Sequence, residues 1–259
     1  MKVVILAGGL GTRIMEESHN KPKPMITIGD MPILWHVMKI YSRFGFNEFI
    51  ICLGYKSQVV KEFFANYFMR NSDITFDFQN GNQYIIHHHF IEPWKVTLAE
   101  TGLQAMTGAR IKNIQKYIGN ESFMLTYGDG LGDINIKELL EFHKTHGKAA
   151  TVTATKPIGR FGILSLTDDN KVERFQEKKQ EDDQWISAGF FILEPEVFQY
   201  LNSREDTVFE QEPLENLAKN GQLIAFKHSG FWHPMDTLRD KEYLEELWDS
   251  GHAPWKTWN

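Results

Sequence analysis

The chain has 259 residues, a formal charge of −6, 24% charged and 42% hydrophobic residues, which is the balance of a folded protein with ample material for a core. The acidic excess argues against a nucleic-acid surface, which needs a dense positive patch, but leaves room for small anions held by a few local cations. A single cysteine, Cys52 in "FIICLG", rules out an intrachain disulfide framework and suits a reducing cytoplasm; no apolar run approaches a membrane span, and "MKVVILAGG" turns glycine-rich too soon for a secretory leader.

In chain order, "KVVILA" at 2–7 reads as a buried strand, apolar and β-branched throughout. "DMPILWHVMKIYSRFG" predicts an amphipathic helix with Asp30 as N-cap, Pro32 in the first turn, Ile33, Val37, Ile40 and Phe44 on one face, and Gly45 as the stop. "EFIICLG" is a second strand, and "KSQVVKEFFANYFMRN" a second helix through Val59, Phe63 and Tyr67. Strand, helix, strand, helix is the pattern of a parallel sheet with crossover helices. Then "YIIHHHFIEPWKVTL" reads as extended, "ARIKNIQKYIG" as helical and "SFMLTYGDG" as a strand ending in a turn. A strand-rich block follows in "KAATVTAT", "RFGILSL", "KVERFQEK" and "WISAGFFIL", with helical patterns near 196–202, 210–220 and 237–248. No repeat or linker divides the chain, so one mixed α/β domain with an elaborated second half is expected.

The loop after the first strand, "ILAGGLGTRI", carries the strongest chemical signal. A dinucleotide loop wants a third glycine and a long helix, but Ile14 stands at that position and "KPKP" at 21–24 breaks the helix. A P-loop wants Lys-Ser/Thr where Arg13-Ile14 stand. What fits is a flexible backbone that approaches a phosphate closely, with Arg13 as a forked cation and Lys21 and Lys23 as point charges on an extended segment set by Pro22 and Pro24. A plain glycine turn beside solvated charges is the simpler alternative.

"LAGGLGTR" followed by "KPKPM" resembles the signature of the sugar-nucleotide pyrophosphorylases, nucleotidylyltransferases that join a sugar 1-phosphate to a nucleoside triphosphate. "EPWKVTLAETG", "TYGDG", "RFG", "GFF" and "FWHPMDTLRDKEYLEELW" are similar to the branch that uses CTP and α-D-glucose 1-phosphate. The resemblance implies an α/β fold with a Rossmann-like, mixed and mostly parallel sheet flanked by helices and a strand-rich sugar-binding elaboration. It implies one domain over 1–259, with the nucleotide part at roughly 1–130 and the sugar part at roughly 131–259. It also implies a cytoplasmic homo-oligomer that needs Mg²⁺ and makes CDP-glucose, a precursor of dideoxysugars in surface polysaccharide.

In this chemistry a phosphate oxygen attacks the α-phosphorus in line with departing pyrophosphate, so positioning and charge stabilisation carry the catalysis. The attacking phosphate has a second pKa of about 6 and needs no general base. Carried over by resemblance, Gly8, Gly9 and Gly11 face base and phosphates, Thr12 and Arg13 the triphosphate, and Lys23 the charge at the α-phosphate. Arg13 and Lys23 are thus the catalytic cations. Asp129 and Asp236 are the metal ligands; read without the resemblance, each is a candidate magnesium carboxylate with a plain alternative, a turn aspartate for Asp129 and the N-cap of the last helix for Asp236. Thr101, Gly108 and Arg110 are candidates at the base, with a helix-turn role the equal alternative for Arg110. Gly162, Glu177, Lys178 and Ser187 are assigned to the sugar phosphate. The chain departs from the family at Lys179, where proline is common, at Ser187, where asparagine is common, and at Met31, often lysine. Open alternatives are UTP or dTTP as donor, another sugar 1-phosphate, a non-catalytic regulator that binds sugar nucleotides, and a nicotinamide-dependent dehydrogenase.

Two further features are set aside. In "HHH" at 87–89 only His87 and His89 share a strand face, with no third ligand at useful spacing for zinc. Trp255 and Trp258 near the C-terminus are expected to cover core or a subunit contact.

Overall fold

The N-terminal apolar run becomes an interior strand of the sheet. In a computed structural model, residues 1–14, 20–156, 163–166, 172–176 and 185–258 are described, by backbone alone at Arg13, 163–166 and 172–176. Seven strands form the central sheet: β1 Lys2–Leu6, β2 Glu48–Leu53, β3 Lys95–Glu100, β4 Phe123–Tyr127, β5 Ala150–Thr155, β6 Ile186–Leu193 and β7 Leu223–Lys227. Their order is β7-β5-β6-β4-β1-β2-β3, and only β6 runs antiparallel to its neighbours within this sheet. Alternate residues of β1 point to opposite faces. Val3 and Ile5 join one core with Phe49, Ile51, Met124 and Phe190, while Val4 and Leu6 join the other with Ile50, Cys52, Leu125 and Phe191. Because both faces are covered, these strands are apolar without alternation, as their sequences suggested.

Helices cover the two faces. Helix α1, Ile33–Ser42, buries Ile33, Leu34, Val37, Met38, Ile40 and Tyr41 in the first core. Its start differs from expectation: the N-cap is Pro32, and Asp30 sits in the turn joining Thr27–Ile28 to Met31–Pro32. Those short strands pair antiparallel, so backbone pairing delays the helix beyond the aspartate. Helix α2 is Ser57–Ala65, α3 Thr107–Asn113, α4 Ile136–His146, α5 Glu212–Lys219 and α6 Leu238–Asp249. A separate hairpin, Ser72–Asp77 with Gln83–His89, leaves Phe76, Phe78 and Tyr84 exposed; in it, His87 bonds the Thr75 hydroxyl at 2.9 Å.

The C-terminus closes over α1. Trp255 is fully buried and stacks on Phe231 and Trp248, while Trp258 meets Trp35 edge-on. Beneath them His36 is fully buried, its Nε2–H donating to Ile28 O at 2.9 Å and its Nδ1 accepting from Trp255 Nε1–H at 3.4 Å. Burial, only partly opposed by backbone bonds, lowers its pKa from 6.5 to about 4. The folded chain therefore holds neutral His36, whereas the unfolded chain binds a proton below about pH 6.5. Stability from this residue is complete above pH 6.5 and is lost as pH falls towards 4, by about 3 kcal/mol. Urea unfolding at pH 7 and pH 4.5 checks this: the loss on acidification should shrink in His36→Gln, and an unchanged loss would contradict it.

Candidate active site

β1 lies between β2 and β4, so successive strands run outward in one direction and then resume on the other side. Ligands bind at such switch points, beyond the carboxyl ends of the strands. Leu6 and Tyr127 are in register at that edge. A cavity of about 330 Å³ opens beyond them, lined by Gly8, Gly9, Gly11 and Thr12 from the loop after β1, Lys23, and Asp129 from the loop after β4. Gly11 has φ +66°, a conformation that favours glycine. Among the described residues, a Cβ at Gly9 would have no atom beyond its chain neighbours within 4 Å.

Lys23 opens a short 3-10 turn, Lys23–Met25, after extended Pro22. Pro24 and Met25 are buried and anchor the turn. Asp129 follows Gly128, whose amide donates to Leu6 O at 3.0 Å and where a Cβ would crowd both that oxygen and the Pro24 ring. Gly130–Gly132 then pairs antiparallel with Trp232–Pro234, and Met235 N donates to Asp129 O at 2.8 Å, drawing Asp236 alongside. Lys23 Nζ donates to Asp129 Oδ2 at 2.5 Å and Asp236 Oδ1 at 2.7 Å. Burial acts to lower the Lys23 pKa, but the carboxylates outweigh it and raise the value. Thr237, not Asp236, caps α6, in a capping box with Asp240. The N-cap reading of Asp236 is therefore not borne out.

Arg110 on α3 is 4% exposed, and its guanidinium is fastened to backbone carbonyls. Nη1 donates to Leu53 O at 2.9 Å, Gly102 O at 2.8 Å and the Thr101 hydroxyl at 2.8 Å; Nη2 donates to Gly8 O at 2.9 Å. One cation thus ties together the loops that follow β1, β2 and β3 while forming part of the cavity wall. Thr101 belongs to this bracket, its own hydroxyl donating to Leu53 O at 2.6 Å. Gly108 is a packing glycine: a Cβ there would stand 2.7 Å from Thr207 Cγ2 and 2.9 Å from Thr207 O. Neither Thr101 nor Gly108 is among the residues lining the cavity, and nor is Lys21.

Gly8 is small because the guanidinium lies on it; a Cβ would fall 2.2 Å from Arg110 Nη1 and 2.5 Å from Cζ. Gly8→Ala should cost roughly 1–3 kcal/mol, a typical overpacking penalty, and displace the loop. Thermal unfolding together with nucleotide titration tests this; unchanged values for both would show that the bracket yields freely.

The sequence left Tyr127 and Thr107 unassigned, yet both line the cavity. Tyr127 donates its phenol to Glu210, and Thr107 donates to the other Glu210 oxygen at 2.6 Å while accepting from Phe209 N at 2.9 Å. Burial and the Glu210 charge push the phenol pKa up, so Tyr127 stays a donor. "TYGDG" contained the tyrosine, but nothing marked a partner 83 residues away. Ser187, at the exposed start of β6, accepts from Gly189 N at 3.2 Å and lies outside the cavity lining. Gly189, at φ +77°, makes room for the Tyr127 ring. Gly162, Glu177 and Lys178, and the side chain of Arg13, lie outside the described residues.

Among the described residues no group of three or more His, Cys, Asp or Glu forms a metal cluster. Magnesium needs less, since it is typically held by one or two carboxylates plus substrate phosphates. Asp129 and Asp236, converging on one point beside the glycine loop, fit that chemistry. Among the described residues, no helix is long and apolar enough to cross a membrane.

Residues 2–246 match the family model described as nucleotidyl transferase. The chain is 55% identical over 259 residues to a glucose-1-phosphate cytidylyltransferase of Salmonella typhi, with all of both chains covered. It is 45% identical over 258 residues to a probable glucose-1-phosphate cytidylyltransferase of Bacillus subtilis, again with full coverage of each. Its fold superposes on a UDP-glucose pyrophosphorylase solved with UDP-glucose at a TM-score of 0.69 and 17% identity, covering 96% of this chain and 98% of that one.

Proposed function

The chain belongs to the nucleotidyl transferase family, and from that premise we propose that it transfers CMP from CTP to α-D-glucose 1-phosphate, releasing pyrophosphate and CDP-glucose. The observation that carries the reading is the convergence of Lys23, Asp129 and Asp236 beside the glycine loop at the switch point. A phosphate oxygen of the sugar attacks the α-phosphorus; that P–O bond forms as the bond to the β-phosphate breaks, and the electron pair leaves with pyrophosphate.

The protein positions the reactants and offsets their charge. The amides around Gly8, Gly9 and Gly11, with Thr12, cradle the triphosphate, and Lys23 meets the charge that gathers on the α-phosphoryl oxygens. Asp129 and Asp236 would hold Mg²⁺, which when bound neutralises phosphate charge. Arg110 shapes the base end by fixing the three loops, with Thr101 as part of the same bracket and Gly108 seating the helix that carries it. Arg13 on the triphosphate, and Gly162, Glu177, Lys178 and Ser187 at the sugar phosphate, complete the proposal on resemblance. Residues 1–130 would form the nucleotide part and 131–259 the sugar part of one unit.

The test supplies CTP with glucose, galactose or mannose 1-phosphate and identifies products by mass. CDP-glucose in step with pyrophosphate is expected. Pyrophosphate released at the same rate without any sugar phosphate would point to hydrolysis and overturn the reading.

The proposal extends to a homo-oligomer. Phe76, Phe78 and Tyr84 on the hairpin are 51%, 77% and 57% exposed, an apolar face on a two-stranded ribbon that is marginal alone. Phe78→Glu should lower the sedimentation coefficient; an unchanged value would remove the hairpin from the contact.

A further inference from the structure

The carboxylates suited to a divalent cation are already joined by a cation of the chain's own. Lys23 Nζ is within 2.7 Å of an oxygen from each of Asp129 and Asp236, and its side chain is only 12% exposed. A metal bonded to both oxygens needs the space the ammonium fills. Two cations cannot share it, because their repulsion grows as separation falls and solvent screening weakens. Each lysine–carboxylate bond is charge-assisted and so among the stronger hydrogen bonds, while magnesium gives up its water reluctantly. A metal arriving alone would have to break both bonds and lose water for two carboxylate contacts.

We propose that Lys23 is an internal competitor for the metal position, so that the divalent cation binds well only when a triphosphate draws the lysine away. The competition rests on the reading of Asp129 and Asp236 as metal-holding residues given above. Lys23 lines the same cavity as the glycine loop, so a triphosphate seated there offers its ammonium new anionic partners. The carboxylates then become available as the phosphates supply further metal ligands. Metal and nucleotide therefore raise each other's affinity by the same factor. Without nucleotide, Lys23 keeps the carboxylates convergent and offsets part of their charge, and one side chain serves both as placeholder before binding and as phosphate contact afterwards.

Mn²⁺ binding to the full chain, read from the electron paramagnetic resonance signal of free Mn²⁺, tests this apart from turnover. Without nucleotide the unmutated chain should bind Mn²⁺ at least ten-fold more weakly than Lys23→Met, and adding Asp236→Asn to that variant should abolish the gain. In the unmutated chain, a CTP analogue that cannot be cleaved at the α-phosphate should tighten Mn²⁺ beyond the analogue's own affinity. Equal Mn²⁺ affinity in the unmutated chain with and without the analogue would overturn the competition, whatever the folding of Lys23→Met. So would equal nucleotide-free affinity in the unmutated chain and a folded Lys23→Met. If Asp236→Asn still weakens Mn²⁺ in the presence of the analogue, the metal-holding reading survives that failure. If Asp236→Asn and Asp129→Asn both leave analogue-dependent Mn²⁺ binding unchanged, the reading of the carboxylates falls and the competition with it.

Discussion

Lys23→Ala should lower kcat by roughly 10²–10³-fold while shifting the KM for CTP by no more than a few-fold. The magnitude is that of removing one preorganised donor from a site of developing charge. The split between the two constants follows from position. The glycine loop and the rest of the cavity still bind the triphosphate in its ground state, whereas the ammonium matters most when charge builds on the α-phosphoryl oxygens. Lys23→Arg keeps the charge but replaces a compact ammonium with a larger planar fork, and should recover only part of the loss. Steady-state kinetics with CTP varied at saturating glucose 1-phosphate tests this. If kcat holds and only KM rises, Lys23 contributes uniform binding, and its assigned role is wrong.

The second large effect is expected at Asp236. Asp236→Asn should raise the Mg²⁺ concentration for half-maximal rate by about ten-fold or more, because a neutral amide is a much poorer partner for a hard cation. Thr237→Ala is the natural control, since that threonine caps α6 one residue along. Losing the cap should cost about 1 kcal/mol of stability and leave the metal titration in place. If the two variants behave alike, losing stability with no change in metal dependence, Asp236 acts on the helix and not on the metal.

The fold was legible where burial dominates pattern. β1 and β2 are short apolar runs covered on both faces, and α1 carries its apolar residues at helical spacing. Helix α4, Ile136–His146, was not read, although Asn135 accepts from Glu138 N and Gly147 ends the helix in the left-handed region. Its cap signals were present in "NIKEL" and "THG", but its buried Ile136, Leu139 and His143 are a sparse stripe among charges. The 72–77 hairpin strand was also missed, being polar and largely uncovered, so that no periodicity marks it.

The candidate site was less accessible to local pattern. Lys23 lies 106 residues from Asp129 and 213 from Asp236, and nothing in their spacing joins them. Only the family resemblance named the three together; strand pairing then supplies the geometry, through the Gly130–Gly132 and Trp232–Pro234 ladder. The Arg110 bracket is almost silent in the sequence. Its partners are mostly main-chain carbonyls, which every residue has, and only the small residues at 8 and 54 hint that something lies close.

The most direct test of cytidylyl transfer is pyrophosphate release with Mg²⁺ and glucose 1-phosphate, run in parallel with CTP, UTP, dTTP and ATP. Release confined to CTP is the expected result. Comparable release with UTP or dTTP, or none with any of the four, would contradict it.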